Sequence, residues 1–162
     1  CRLDDFGKKD SVFELIKGSC KEKILPIGKL NKNHSGLVIF TNDEKMSAKL
    51  SHPKHEVKKI YHISLSNPLK SLDFKKMKDG LIIDGEKIVL DSISYVQDKG
   101  KTEIGIETKS NKRNLIIKML DSLDYHVIRL DLVFYGGLTK KEISRKKYRF
   151  LSDEEINLLK RI

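Results

Sequence analysis

Apolar and polar residues alternate from Lys59 to Leu65, and this period of two predicts a strand with Tyr61, Ile63 and Leu65 on one face. Val127 to Tyr135 predicts a second long strand, ended by Gly136-Gly137. Leu81-Ile82-Ile83 and Ile88-Val89-Leu90 flank Asp84-Gly85, the signal of a tight hairpin. Further strands are expected at 93–96 and 102–108, where Ile104 and Ile106 alternate with polar residues. The run Leu37-Val38-Ile39-Phe40 is short, β-branched and aromatic, and predicts a buried strand. Helical spacing marks other stretches. Ser11-Val12-Phe13-Glu14 reads as a capping box for a short helix that Gly18 ends. Asn42 is positioned to cap a helix to Leu50, with Met46 and Leu50 on its inner face. Ser51-His52-Pro53 should break that helix, because the residue before proline avoids helical angles. A helix is expected within 69–80, ended by Gly80. Another carries Leu115, Met119, Leu120 and Leu123 on one side, after a basic loop from Ser110 to Arg113. A last capping box, Ser152-Asp153-Glu154-Glu155, opens a helix to Arg161.

Hairpins interleaved with helices indicate an α+β domain with a mainly antiparallel sheet. The 162 residues suit one compact domain, and no repeat, low-complexity tract or Pro/Gly/Ser linker divides them. Charge changes the picture more than composition does. Thirty-three Lys and Arg against 23 Asp and Glu give a net charge of +10. So basic a domain is expected to meet polyanions, nucleic acid first among them; a lysine-rich solvated surface is the plainer alternative. Cys1 and Cys20 form no metal-ligand or disulfide framework, so a reduced, cytoplasmic protein is the default expectation. No apolar run approaches the roughly 18 residues of a membrane span, and no signal-peptide pattern appears. A monomer is expected.

The stretch from Leu25 to Asp43 carries the most specific chemistry. It reads Leu-Pro-Ile-Gly-Lys-Leu-Asn-Lys-Asn-His-Ser-Gly-Leu-Val-Ile-Phe-Thr-Asn-Asp: an apolar approach, a polar loop bracketed by Gly28 and Gly36, then the predicted strand. Such a loop can hold side chains beside a ligand on rigid flanks. This stretch resembles the signature of the RsuA-like ribosomal RNA pseudouridine synthases, the branch that includes the large-subunit type B, E and F enzymes. Their pattern reads roughly Pro-Val-Gly-Arg-Leu-Asp-x-x-Thr-Ser/Thr-Gly-Leu-Leu-Leu-Leu-Thr-Asn-Asp. The resemblance continues through Ser51-His52-Pro53-Lys54-His55-Glu56-Val57-Lys58-Lys59-Ile60-Tyr61. It reaches Gly136-Gly137-Leu138 and Tyr148-Arg149-Phe150-Leu151-Ser152, which are similar to the family's Gly-Leu and Trp-Arg-x-Leu-Thr stations.

The resemblance implies a pseudouridine synthase fold, with the active cleft across a central sheet. It implies isomerisation of uridine to pseudouridine in a ribosomal RNA stem-loop: the uracil–ribose bond breaks, the base turns, and a carbon–carbon link forms. No cofactor and no metal is expected. The target base must be presented outside its helix. The family usually carries a small N-terminal RNA-binding domain and a strand with Asn-Lys-Pro. Neither is found in this sequence, which therefore reads as a single catalytic-type domain, 1–162, N-terminally truncated relative to the family.

Carried over residue by residue, Tyr61 falls on the aromatic station that lies against the target base; its plainer reading is an ordinary core aromatic. Asn31 falls on the nucleophilic aspartate. An amide is neutral, a poor nucleophile and no useful base, so the alternative to an enzyme is an inactive RNA-binding homologue acting in ribosome assembly. A basic protein-interaction domain is a third reading. The arginine expected to pair with the aspartate falls on Ile117, and a slip of one residue would bring Lys118 or Arg113 there instead. An arginine left in a cleft without its carboxylate costs roughly 3–5 kcal/mol, so loss of both partners together is the expected history. The RNA-contacting set on this reading is Lys29, Lys32, His34, Lys54, His55, Lys58, Lys59, Lys112, Arg113 and Lys118. A further basic group lies at Lys140, Lys141, Arg145, Lys146, Lys147 and Arg149.

Overall fold

The computed structural model of the chain describes residues 12–28, 34–109, 113–141 and 143–162. Ser11, Asn31, Lys29, Lys32 and the loop residues Ser110 to Lys112 lie outside the described residues. In chain order the elements are α1 (Val12–Leu15), β1 (Leu25–Ile27), β2 (His34–Gly36), β3 (Ile39–Thr41), α2 (Glu44–Ser51) and β4 (Lys59–Leu65). There follow α3 (Ser71–Asp79), β5 (Leu81–Ile83), β6 (Glu86–Ile88), β7 (Ser92–Tyr95) and β8 (Glu103–Thr108). The chain ends with α4 (Arg113–Asp121), β9 (Val127–Tyr135), β10 (Leu138–Thr139) and α5 (Asp153–Arg161).

The central sheet runs β10-β9-β4-β8-β7, each neighbour antiparallel, and β2 joins β9 in parallel. The long strands match the alternation. On β4, every second residue from Lys59 to Leu65 is buried. The face carrying Tyr61, Ile63, Ile104, Ile106 and Leu130 packs beneath Met77 of α3, Ile116, Met119 and Leu120 of α4, and Ile83 and Ile88 of the β5–β6 hairpin. Fully burying each such side chain contributes about 1.5–3 kcal/mol. A second apolar cluster joins Ile27, Leu50, Val57, Tyr135, Leu138 and Leu159, so that α2, α5 and the β1–β3 pair sit at the other end. Leu132 packs against both clusters. No helix among the described residues is long and apolar enough to cross a membrane.

Local chemistry accounts for the joints. Asp84 and Gly85 both have positive φ, 53° and 79°, as the tight hairpin turn between β5 and β6 requires. The capping box at Ser152 and Glu155 is present in full. Two expectations need correction. Asp43, rather than Asn42, caps α2, its carboxylate accepting from the Met46 amide at 2.9 Å; a charged acceptor at the positive end of a helix outdoes a neutral one. The apolar run 37–40 is not one buried strand. Only Ile39 and Phe40 belong to β3, which is half-buried, and His34–Gly36, expected as loop, forms β2 instead.

That small strand depends on one glycine. Gly36 sits opposite Leu132 with φ 116°, and a Cβ there would fall 2.8 Å from the Leu132 carbonyl carbon and closer still to its N and O. The next amide, Leu37, donates to the Leu132 carbonyl at 2.9 Å. Gly36→Ala is therefore expected to destabilise at or above the upper end of the ~0.5–3 kcal/mol usual for single substitutions, measured as a loss in urea midpoint.

Candidate catalytic cleft and RNA interface

The described residues on either side of positions 29–33 are fixed in strands. On one side β1 pairs with β3, Ile27 opposite Ile39; on the other β2 lies along β9, His34 opposite Leu130 and Ser35 opposite Asp131. The flanks of Asn31 thus belong to two strand pairs, and β9 links one of them directly to β4, with Leu132 opposite Tyr61.

Tyr61 faces the apolar side of the sheet and is 4% exposed, within the larger core cluster. Lys59 shares that face. Expected as a phosphate contact on the rim, it is instead 5% exposed, with its ammonium 5.6 Å from the centre of the Tyr135 ring. Its place in the alternation is the reason: positions 59, 61, 63 and 65 all point inward. Burial lowers its pKa to about 8, and a charge so placed acts on neighbouring anions more strongly than one in water. The hydroxyl of Tyr135 donates to the Leu50 carbonyl at 3.0 Å, and burial pushes its pKa up to about 12.

The other sequence-derived positions divide between core and surface. Ile117 of α4 is half-buried and packs against the larger cluster, so it faces the core rather than water. Lys118 is exposed and pairs with Asp84 of the hairpin turn. Arg113 begins α4, and Lys112 lies outside the described residues. His34 is half-buried on β2, its Nδ1 buried. Lys54 is exposed; His55 is half-buried, its ring 6.2 Å from that of His52. Lys58 is exposed, 2.8 Å from Glu107.

Sequence reasoning passed over Asp131. It lies in β9 between two leucines, on the face opposite Tyr61, and its side chain is 3% exposed. Burial alone would raise its pKa, but Lys140 and Arg129, both hydrogen-bonded to Oδ2, hold it below the usual carboxylate range. The second oxygen, Oδ1, is buried with no hydrogen-bond partner among the described residues. Arg129 also approaches Ser35 of β2 at 3.5 Å. On the same sheet face His62 lies 2.6 Å from Glu103, and Ser64 donates to that carboxylate at 2.9 Å. The available signal was an acidic residue set among apolar ones in a strand too long to be an edge.

These features are a mixed, mainly antiparallel sheet with helices over one face and two short strands, β1 and β2, flanking positions 29–33. The same fold is found in a crystal structure of a pseudouridylate synthase, which superposes with a TM-score of 0.78 over 92% of this chain and 65% of that one, at 21% identity. Residues 3–133 match the family described as RNA pseudouridylate synthase, and the chain belongs to that family. Two curated relatives are each 27% identical over 161 residues. An uncharacterized RNA pseudouridine synthase of Aquifex aeolicus is covered by 96% of this chain, and ribosomal large subunit pseudouridine synthase B of Bacillus subtilis by 97%. The chain spans 64% and 65% of their lengths, just under two thirds.

Lys59 supplies a pH signature. Its pKa falls from 10.5 unfolded to about 8 folded, so between those values the unfolded chain binds more protons and stability rises with pH. The gain should reach about 3 kcal/mol across the window. Urea unfolding from pH 8 to 10 is expected to show the rise in the wild type and to lose it in Lys59→Met.

Proposed function

We propose that this chain is the catalytic-type domain of a ribosomal RNA pseudouridine synthase, which binds an RNA stem-loop and isomerises a uridine in it. The family match over residues 3–133 carries this reading. The described flanks support it: β1 before position 29 and β2 after position 33 each pair with another strand, and the partner of β2 lies beside the strand of Tyr61. The net charge of +10 fits a polyanionic substrate. On this reading Asn31 occupies the reacting position, the exposed Lys54 and Lys58 meet phosphates, and Tyr61, 4% exposed within the core cluster, must be uncovered to lie against the target base.

One observation favours a second reading, an RNA-binding homologue that does not turn over. Asn31 is neutral where the chemistry needs an ionised carboxylate, and Ile117, the position of its cationic partner, packs into the apolar core. An isolated carboxylate at position 31 would lack that partner. An isolated arginine at position 117 would leave a cation against apolar side chains.

Incubation with ribosomal RNA and mapping of modified uridines separates the two readings. Binding without conversion selects the second. Asn31→Asp is expected to raise conversion by orders of magnitude, and Asn31→Asp with Ile117→Arg to raise it further. Full activity from Asn31→Asp alone would show that the two positions are not coupled. Contacts with about 6–10 phosphates should lower RNA affinity about 10³- to 10⁵-fold between 50 and 200 mM salt. A flat salt response would exclude RNA binding through the basic surface.

A further inference from the structure

Several cations on and beside the sheet are engaged in ion pairs. Lys58 pairs with Glu107, Lys118 with Asp84, Lys140 and Arg129 with Asp131, and Arg149 with Glu155. The segment between β10 and α5 differs. Lys141, Arg145, Lys146 and Lys147 are all exposed and make no ion pair among the described residues. Directly after them come two exposed aromatic rings, Tyr148 at 47% and Phe150 at 70%. The rings meet edge to face, centroids 6.3 Å apart and planes at 85°. Two adjoining aromatic rings open to solvent and rimmed by exposed cations make an apolar patch available to a partner.

The backbone holds the pair outward. Arg149, between the two rings, turns the other way and donates to both oxygens of Glu155 at 2.7 and 2.6 Å. Glu155 also accepts from the Ser152 amide at 2.9 Å. The Arg149 hydrogen bonds, with that from Ser152, lower the Glu155 pKa to about 2, so this anchor is charged at neutral pH. At its other end the segment is tied down where Lys140 meets Asp131, opposite Ser35 of β2. It therefore leads from beside the flank of the loop that carries Asn31 to the start of α5.

We propose that Tyr148 and Phe150 form a stacking platform for unpaired bases of the RNA, with Arg145, Lys146 and Lys147 holding the adjoining phosphates. This rests on the reading that the domain binds RNA and adds a second contact region outside the cleft. Rings that offer a flat face to any base, set beside unpaired cations, are how single strands are gripped without sequence readout. Charge complementarity selects RNA as the occupant rather than an apolar protein surface.

The chain contains no tryptophan, so Phe150→Trp creates a single reporter. Its fluorescence should be quenched on titration with a single-stranded oligouridine at low salt, and much less by an RNA duplex. Phe150→Ala and Tyr148→Ala should each weaken single-strand binding roughly 5- to 150-fold while leaving the salt dependence unchanged, since no phosphate contact is removed. Phe150 is largely exposed, so these variants should fold; circular dichroism checks this. Ile82→Ala, which trims another exposed apolar side chain at 74%, should leave binding unchanged. If the wild type binds RNA and both alanine variants bind equally well, the platform is refuted and RNA binding stands. A wild type that binds no RNA refutes both.

Discussion

The approach of β2 to β9 is the constraint on which the candidate site depends. A strand of three residues is stable only as part of something larger. Here it lies in parallel against one of the longest strands, and the Gly36–Leu132 crossing leaves no room for a side chain. Because Leu132 also faces Tyr61 across β4 and packs against both apolar clusters, the crossing joins the loop's flank to the whole core. Rigidity at the loop's ends is thus inherited from the sheet and does not need to come from the loop itself.

The sheet's two faces divide the work. One face is apolar apart from Lys59 and Thr108, which lie opposite each other on β4 and β8, and burial there lowers the lysine's proton affinity. The opposite face is polar, with His62, Glu103, Ser64, Arg129 and Asp131. Asp131 is the buried carboxylate next to β2, yet its position in the alternation turns it away from Tyr61. Its two cations, Lys140 and Arg129, hold it as a structural tie between β9 and the segment after β10.

Much of this was legible in the sequence where a local rule had no rival. Strand β4, strand β9, the Asp84-Gly85 turn and the Ser152 capping box were all read at or near their observed positions. What was missed depends on tertiary partners. His34–Gly36 has no strand pattern and becomes β2 only because β9 offers its edge. Lys59 read as a surface cation because charge is normally solvated, although the same alternation that buried Tyr61 required Lys59 to follow it inward. Asp43 displaced Asn42 as helix cap through a one-residue difference that propensity alone does not resolve. The site positions 29, 31 and 32 were legible only through family resemblance, since nothing in their local composition marks them as reactive.

RNA binding and chemistry respond differently to loss, and the asymmetry follows from how each is distributed. Phosphate contacts are spread over many exposed side chains, and each contributes a modest, salt-screened share. Substituting one of them changes affinity by a small factor. Isomerisation on the proposed reading rests on a single ionised group, whose replacement by an amide removes the reacting charge entirely. Once that charge is gone, nothing favours a cation at 117, and packing there favours an apolar side chain such as Ile117, which sits against the core. Nothing comparable acts on Lys141, Arg145, Lys146 and Lys147, which are exposed and cost little to keep. On the proposed reading, a sheet scaffold with a neutral residue at position 31 and a basic, aromatic margin is the state this asymmetry leads to.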